Sequence, residues 1–387
     1  MNSTEFHHIL PYIQSTSPNI HNFTNFLYSL FSLPFSPTIE TTNHTSHPIL
    51  DYFKTDILAP SPFLASTIYS KLTKLSVSYV EHKMEIPITV DTNEVQYFTA
   101  QIFIHTDYEI SDDIISSIFR MLNIFCHLYP QQMAEIGTFC LVWVPFEDRK
   151  QLHSSHIDDI VSNTSSSSLT AEHINSAFTV FNMETPLEVP SILVFLYRSE
   201  DALKTVFHEM MHALRLDGNI NSPMRENETY AETWALLLYL GCLSYHDLEA
   251  INEDDFHTNY ITLLAIETAY SRIQAYKVIR LGEKAITDTN AFQYYVDKYY
   301  TLENIEEFLK WCEEHNQDWI LFGGKYECDE CAYMLFSANR KEGLSFMDVP
   351  EEYKRFLHQQ RERLQEGLKK EITIPEEIIE TMRMVLL

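Results

Sequence analysis

Glycine is scarce in this chain, with eight in 387 residues, against a usual share near ~7%. Glycine enters left-handed backbone without steric cost, so a chain this poor in it relies on helices and ordinary hairpins rather than many tight turns. Positive charge is also short: 27 Lys and Arg face 55 Asp and Glu, a formal net charge of −28. Nucleic acid and anionic membranes both need a basic surface, so neither is expected as a partner. Long apolar runs are missing. Stretches such as Ala235 to Leu240 fall far below the ~20 residues that cross a bilayer. The start, Met1 to His8, lacks the basic residues and apolar stretch of a secretory leader, so a cytoplasmic location is expected. Cysteines number six and are scattered, which excludes a dense disulfide framework and fits a reducing compartment. Cys328-Asp329-Glu330-Cys331 is a lone C-x-x-C without the two further ligands of a structural zinc site.

Apolar and aromatic residues are plentiful. Hydrophobic content is 45%, with 24 Phe, 22 Tyr and 4 Trp, enough to fill one large core or two ordinary ones. Residues 1–70 mix short apolar segments with Pro, Ser, Thr and Asn, and helices are expected over Asn22–Leu33 and Ser61–Leu75. Alternating patterns predict strands at Leu75–Val80, Glu85–Val90 and Phe98–Thr106. Ser111–Tyr129 reads as an amphipathic helix capped by Ser111 and stopped by Pro130. Thr138–Phe146, Asn175–Phe181 and Ile192–Tyr197 read as strands, and Asn163–Ser168 as a polar loop. Beyond residue 240 the pattern is helical over Ile261–Leu281, Ala291–Tyr300, Leu302–His315, Pro350–Lys370 and Pro375–Leu387.

The chemistry concentrates in two segments. Residues 208–212 read His-Glu-Met-Met-His. On a helix, His at i and i+4 leave from one face, close enough to share a metal ion. A Glu directly after the first His is placed to take a proton from an attacking water. A helix is expected here: Ser199 offers an N-cap, Glu200 and Asp201 give a negatively charged first turn, and Gly218 is a stop. A second helix is marked by Ser222-Pro223 and runs through Glu228 and Glu232 to about Leu240. Those two carboxylates lie one turn apart on a shared face, so one can bind metal while the other orients a histidine. Two His, one Glu and an open position is the ligand set of a hydrolytic zinc site.

These segments resemble the gluzincin metallopeptidases, in which a His-Glu-x-x-His helix is followed by a helix bearing a Glu ligand. Asn227-Glu228-Thr229-Tyr230-Ala231-Glu232 fits the second motif of that group. The resemblance makes His208, His212 and Glu228 the zinc ligands and Glu209 the general base. Glu232 becomes the partner of a ligand histidine, or the alternative third ligand. A narrower likeness over about residues 172–240 is to uncharacterised metallopeptidases of large DNA viruses. It is carried by His173-Ile174-Asn175-Ser176-Ala177-Phe178-Thr179, Tyr197-Arg198, the His-Glu helix, and the Glu228, Tyr230, Glu232, Trp234-Ala235 series.

The resemblance implies an α+β, zincin-like fold. Residues 71–240 would form the catalytic domain, with a mixed sheet, the zinc helix and the third-ligand helix. Residues 1–70 would precede it as a helical or irregular region, and 241–387 would follow as a helical subdomain. In such folds an edge strand beside the zinc helix pairs with extended substrate, and Asn175–Phe181 is the candidate. A Tyr or His is expected to stabilise the oxyanion, with His246, His257 and Tyr260 as downstream candidates. The expected activity is hydrolysis of a peptide or protein substrate with Zn2+ as cofactor. The alternatives are a catalytically silent zinc-containing viral or host-interaction protein, and a zinc hydrolase of a non-peptide amide. Oligomeric state is not legible.

Overall fold

In a computed structural model describing residues 13, 18–52, 64, 66–75, 78–90, 95–162, 169–181, 192–217, 225–246, 252–281, 290–322 and 380–386, six strands form one mixed sheet. They are β1 (Glu40–His44), β2 (Tyr79–Thr89), β3 (Val95–His105), β4 (Thr138–Phe146), β5 (Ala177–Phe181) and β6 (Ile192–Arg198), in spatial order β1-β2-β3-β4-β6-β5. β3, β4 and β6 run parallel, and the pairs β1–β2, β2–β3 and β5–β6 are antiparallel. β4 and β6 are buried along nearly their whole length, which is why their sequences read as unbroken apolar runs rather than alternating ones. Among the described residues β5 closes one edge of the sheet and pairs only with β6.

The helices are α1 (His21–Phe31), α2 (Pro48–Tyr52), α3 (Ser66–Leu72), α4 (Asp112–Leu128), α5 (Pro130–Ile136), α6 (Ser154–Ser162), α7 (Ala171–Ile174), α8 (Ala202–Ala213), α9 (Arg225–His246) and α10 (Glu253–Leu281). A π-helical turn (Phe292–Asp297) then runs into α11 (Lys298–Glu303), followed by α12 (Ile305–His315). The architecture is mixed α and β, consistent with the expected α+β class.

The pleat sorts the sheet's side chains between two cores. Ile86, Ile102, Leu141 and Val194 join Phe119 of α4, Val206 and Phe207 of α8, and Trp234 of α9 on one face. Phe103, Val142, Phe195 and Tyr197 pack on the other face with α2 and α3. A third cluster gathers α6, α10 and the π-helical turn around Met382 and Met384.

Several local expectations are corrected. β2 is one continuous strand rather than two, because Glu81, the polar residue that breaks its pattern, is satisfied by His44 and Gln101 from the neighbouring strands. Pro130 does not simply stop a helix. It occupies the first turn of α5, where its missing N–H costs nothing. The residue before α8 is Asp201, not Ser199, whose hydroxyl bonds the carbonyl of Phe146.

Asp201 takes left-handed backbone (φ 56°). Its buried carboxylate is held by Lys150 Nζ at 3.2 Å, Arg383 Nε at 3.4 Å and the Met384 N–H at 2.7 Å. Those contacts also explain the end of the described chain. Residues 380–386, expected as part of a helix, form an irregular buried strap. It is tied to residues 150–152 by Met382 N–H to Lys150 O and Leu152 N–H to Glu380 O, each 2.8 Å. Gly218, Ser222, Pro223, the loop 163–168, the C-x-x-C at 328–331 and the helix expected at 350–370 lie outside the described residues.

Candidate metal centre

α8 rises from the end of β6 and packs its apolar face, Val206, Phe207, Met210 and Met211, into the main core. The opposite side carries Thr205, His208, Glu209 and His212. Helical spacing brings the two imidazoles together, with ring centroids 4.7 Å apart and planes at 84°. Their Nε2 atoms are 3.0 Å apart. Glu228 reaches in from α9, and its Oε2 lies 3.3 Å from His208 Nε2 and 3.5 Å from His212 Nε2. Among the described residues, His208 and Glu228, both buried, and the half-buried His212 form a group that can hold a metal ion.

The group fits a small tetrahedral cation. Metal–ligand bonds of 2.0–2.2 Å put neighbouring ligand atoms roughly 3.3–3.5 Å apart, and the three separations here bracket that value. The outer nitrogens complete the fit. His212 Nδ1 lies 2.6 Å from Asp217 Oδ2, and His208 Nδ1 lies 3.1 Å from Glu232 Oε2. Asp217 draws the His212 Nδ1 proton, Glu232 places a negative charge beside His208 Nδ1, and in both rings this favours an Nε2 lone pair facing inward. Asn290 donates from Nδ2 to Glu228 Oε1 at 2.9 Å, which turns Oε2 toward the histidines. Three electron-rich atoms therefore converge, and such a cluster needs a cation or shared protons to be stable.

The electrostatics follow the same pattern. Burial alone would raise the Glu228 carboxyl, but His212 and His208 outweigh it and hold Glu228 well below the ordinary range. Burial alone would lower His212, and Asp217 and Glu228 outweigh that to raise it well above its usual value. Burial also opposes ionisation of Glu232. Lys204 and Lys298, one on each side of this carboxylate, together with His208 keep it ionised. Burial depresses Lys204 itself to about 8, with Glu232 partly offsetting the shift.

The structure separates the two carboxylates that spacing left open. Glu228 closes the three-atom cluster, and Glu232, one turn along, backs His208 from behind. Glu209 is buried next to the cluster and accepts a hydrogen bond of 2.7 Å from Thr179 Oγ1 of β5. Neither Tyr260 nor His257 lines the pocket at this cluster. The Tyr260 hydroxyl bonds Leu237 O inside the core. His257 meets Thr24 and the His21 ring, and His246 is the last residue of α9. Tyr294 occupies that place instead. Its ring sits 5.6 Å from His208, edge to face. Burial, then the nearby Glu228, Glu209 and Glu232, push its phenol pKa well up, so it stays a neutral donor.

Sequence reasoning missed Asp217, Thr179, Asn290, Tyr294, Lys204 and Lys298. Only Asp217 carried a local signal, a carboxylate in the turn that follows the His-Glu helix.

An uncharacterised protein of Acanthamoeba polyphaga mimivirus is 22% identical over 169 residues, covering 41% of this chain and 41% of that protein. The chain thus spans about two fifths of the length of the relative it matches. The similarity supports a viral relationship. No protein-family model matches the chain, and no solved structure matches it. No helix among the described residues is long and apolar enough to cross a membrane.

Proposed function

We propose that this protein is a zinc-dependent metallopeptidase of zincin-like architecture. The observation that carries the reading is the convergence of His208 Nε2, His212 Nε2 and Glu228 Oε2 within 3.0–3.5 Å, each histidine backed by its own carboxylate. His208, His212 and Glu228 would hold the ion, leaving one position open, as a hydrolytic rather than a purely structural site requires. A bound zinc ion supplies Lewis acidity that brings the pKa of water toward neutrality.

The chain's own residues account for the rest. Glu209 takes the proton of the attacking water and delivers it to the leaving amine. Thr179 holds Glu209 Oε2, which leaves Oε1 for that work. Tyr294, kept neutral by burial and three carboxylates, donates to the oxyanion that forms as the carbonyl is attacked. β5 is a sheet edge beside α8, so an extended peptide can pair along it and bring its scissile bond past Thr179 and Glu209.

Two measurements test the reading. Elemental mass spectrometry should find about one zinc per wild-type chain, sharply reduced in Glu228→Gln. A fluorogenic peptide library should be cleaved by wild type and not by zinc-loaded Glu209→Gln. Zinc without any cleavage would favour a silent zinc-stabilised protein or a non-peptide amide hydrolase. No zinc after reconstitution would remove the metal centre altogether.

A further inference from the structure

A small pocket opens directly beside His208 and Glu209, lined by Ser176, Ala177, Lys204, Thr205, Tyr294 and Met384. Its volume is about 20 Å³, room for one water-sized or hydroxymethyl-sized group. Two residues of its lining, Ser176 and Thr205, carry hydroxyls that are buried and have no hydrogen-bond partner among the described residues. Ser176 is 3% exposed and Thr205 5%. Buried polar atoms in native proteins are almost always satisfied, so two orphan hydroxyls in one pocket call for a guest that satisfies them.

The position of the pocket says where that guest belongs. Thr205 is four residues before Glu209 and shares its helix face. Ala177 and Thr179 share a face of β5, two residues or roughly 7 Å apart along the strand. A peptide paired along β5 with its reacting carbonyl at Glu209 therefore places a neighbouring side chain into this pocket. Its chemistry excludes anionic guests. Lys204 is already paired with Glu232, and a carboxylate guest would face Glu209 and Glu232. Its size excludes lysine, arginine, leucine, phenylalanine and other large side chains.

We infer that this pocket is a specificity subsite for serine at a position adjacent to the scissile peptide bond. Ser176 and Thr205 hydrogen-bond the guest hydroxyl, one donating and one accepting. This inference rests on the metallopeptidase reading. A site built to bond a hydroxyl discriminates strongly against the analogue lacking it. Serine should therefore be preferred over alanine by at least ~10-fold in kcat/KM, and over leucine by more.

The test is a positional-scanning peptide library digested by zinc-loaded wild type, Thr205→Val and Ser176→Ala, with products read by mass spectrometry. Serine enrichment at one position flanking the cut, lost in both variants, supports the subsite. Cleavage without serine preference, or a preference that survives both substitutions, overturns it and leaves the metallopeptidase reading standing. No cleavage by wild type carrying one zinc overturns both. A second readout does not depend on activity. Metal-free Thr205→Val should unfold at the wild-type temperature or above, because it removes an unpartnered hydroxyl. A clear loss of Tm would show that this hydroxyl has a structural partner and would overturn the role assigned to it.

Discussion

Thr179 Oγ1 donates a 2.7 Å hydrogen bond to Glu209 Oε2, joining the edge strand β5 to the residue that follows the first histidine. The bond fixes the carboxylate relative to the strand along which substrate would lie. Thr179→Val keeps the shape and removes the donor. It should lower kcat/KM about 10- to 100-fold, the usual effect of losing a group that supports a site residue, while zinc content stays at the wild-type level. Kinetics together with metal analysis check this, and a parallel loss of zinc would show that Thr179 supports the metal group instead.

Asp217 and Glu232 hold the outer nitrogens of His212 and His208. Asp217→Asn and Glu232→Gln should each weaken zinc binding about 10- to 100-fold. Glu228→Gln removes a direct ligand and should cost more. Competition against a chromogenic chelator would rank the three variants. Equal losses in Glu228→Gln and Glu232→Gln would contradict the geometry.

Protons and metal compete for the same cluster. His212 is raised well above its ordinary value of 6.5, and His208 is also raised. In the metal-free protein these histidines contribute stability that is fully present below ~6.5, the unfolded-state value, and is lost as pH rises through their folded values. Metal-free protein should therefore lose Tm as pH rises above ~6.5. Zinc-loaded protein should resist that loss, because the ion replaces the protons. Zinc binding should release protons and weaken as pH falls, measurable by calorimetry in buffers of different ionisation enthalpy. A metal-free Tm that climbs steadily over the same range would be inconsistent with the raised histidines.

Asp201 anchors the strap 380–386 to the start of α8, facing Lys150, Arg383 and the Met384 N–H. Lys150 and Asp201 side chains are fully buried. Asp201→Ala leaves a buried cation uncompensated and should destabilise the protein by about 3–5 kcal/mol, read from urea unfolding. The pocket wall formed by Met384 should loosen with it, seen as faster hydrogen exchange across 380–386. A loss under ~1 kcal/mol would indicate that water replaces the pair.

The elements most legible in the sequence were those set by local periodicity. β4 carries the expected bounds, β6 extends one residue further, and α4 keeps nearly its full length, because apolar runs and helical stripes reflect burial directly. Ends set by distant contacts were misread. Asp201 takes left-handed backbone, which Asp tolerates better than most residues, and there its carboxylate meets Lys150, Arg383 and the Met384 N–H, contacts that no local pattern announces. The strap is irregular because its backbone bonds residues 150–152 and Glu267 rather than itself.

The metal group divides in the same way. Helical geometry alone brings His208 and His212 to one face with Glu209 beside them, and places Glu228 and Glu232 together one turn apart, so the donor types and two candidate third ligands are properties of spacing. The choice between those carboxylates depends on how α9 crosses α8, on Asn290 turning Glu228 Oε2 inward, and on Lys204 and Lys298 holding Glu232 behind His208. Thr179, Tyr294 and Met384 come from a strand, a π-helical turn and a buried strap far apart in the chain. No spacing rule links them, because only packing of the sheet edge against α8 brings those side chains within reach of one another.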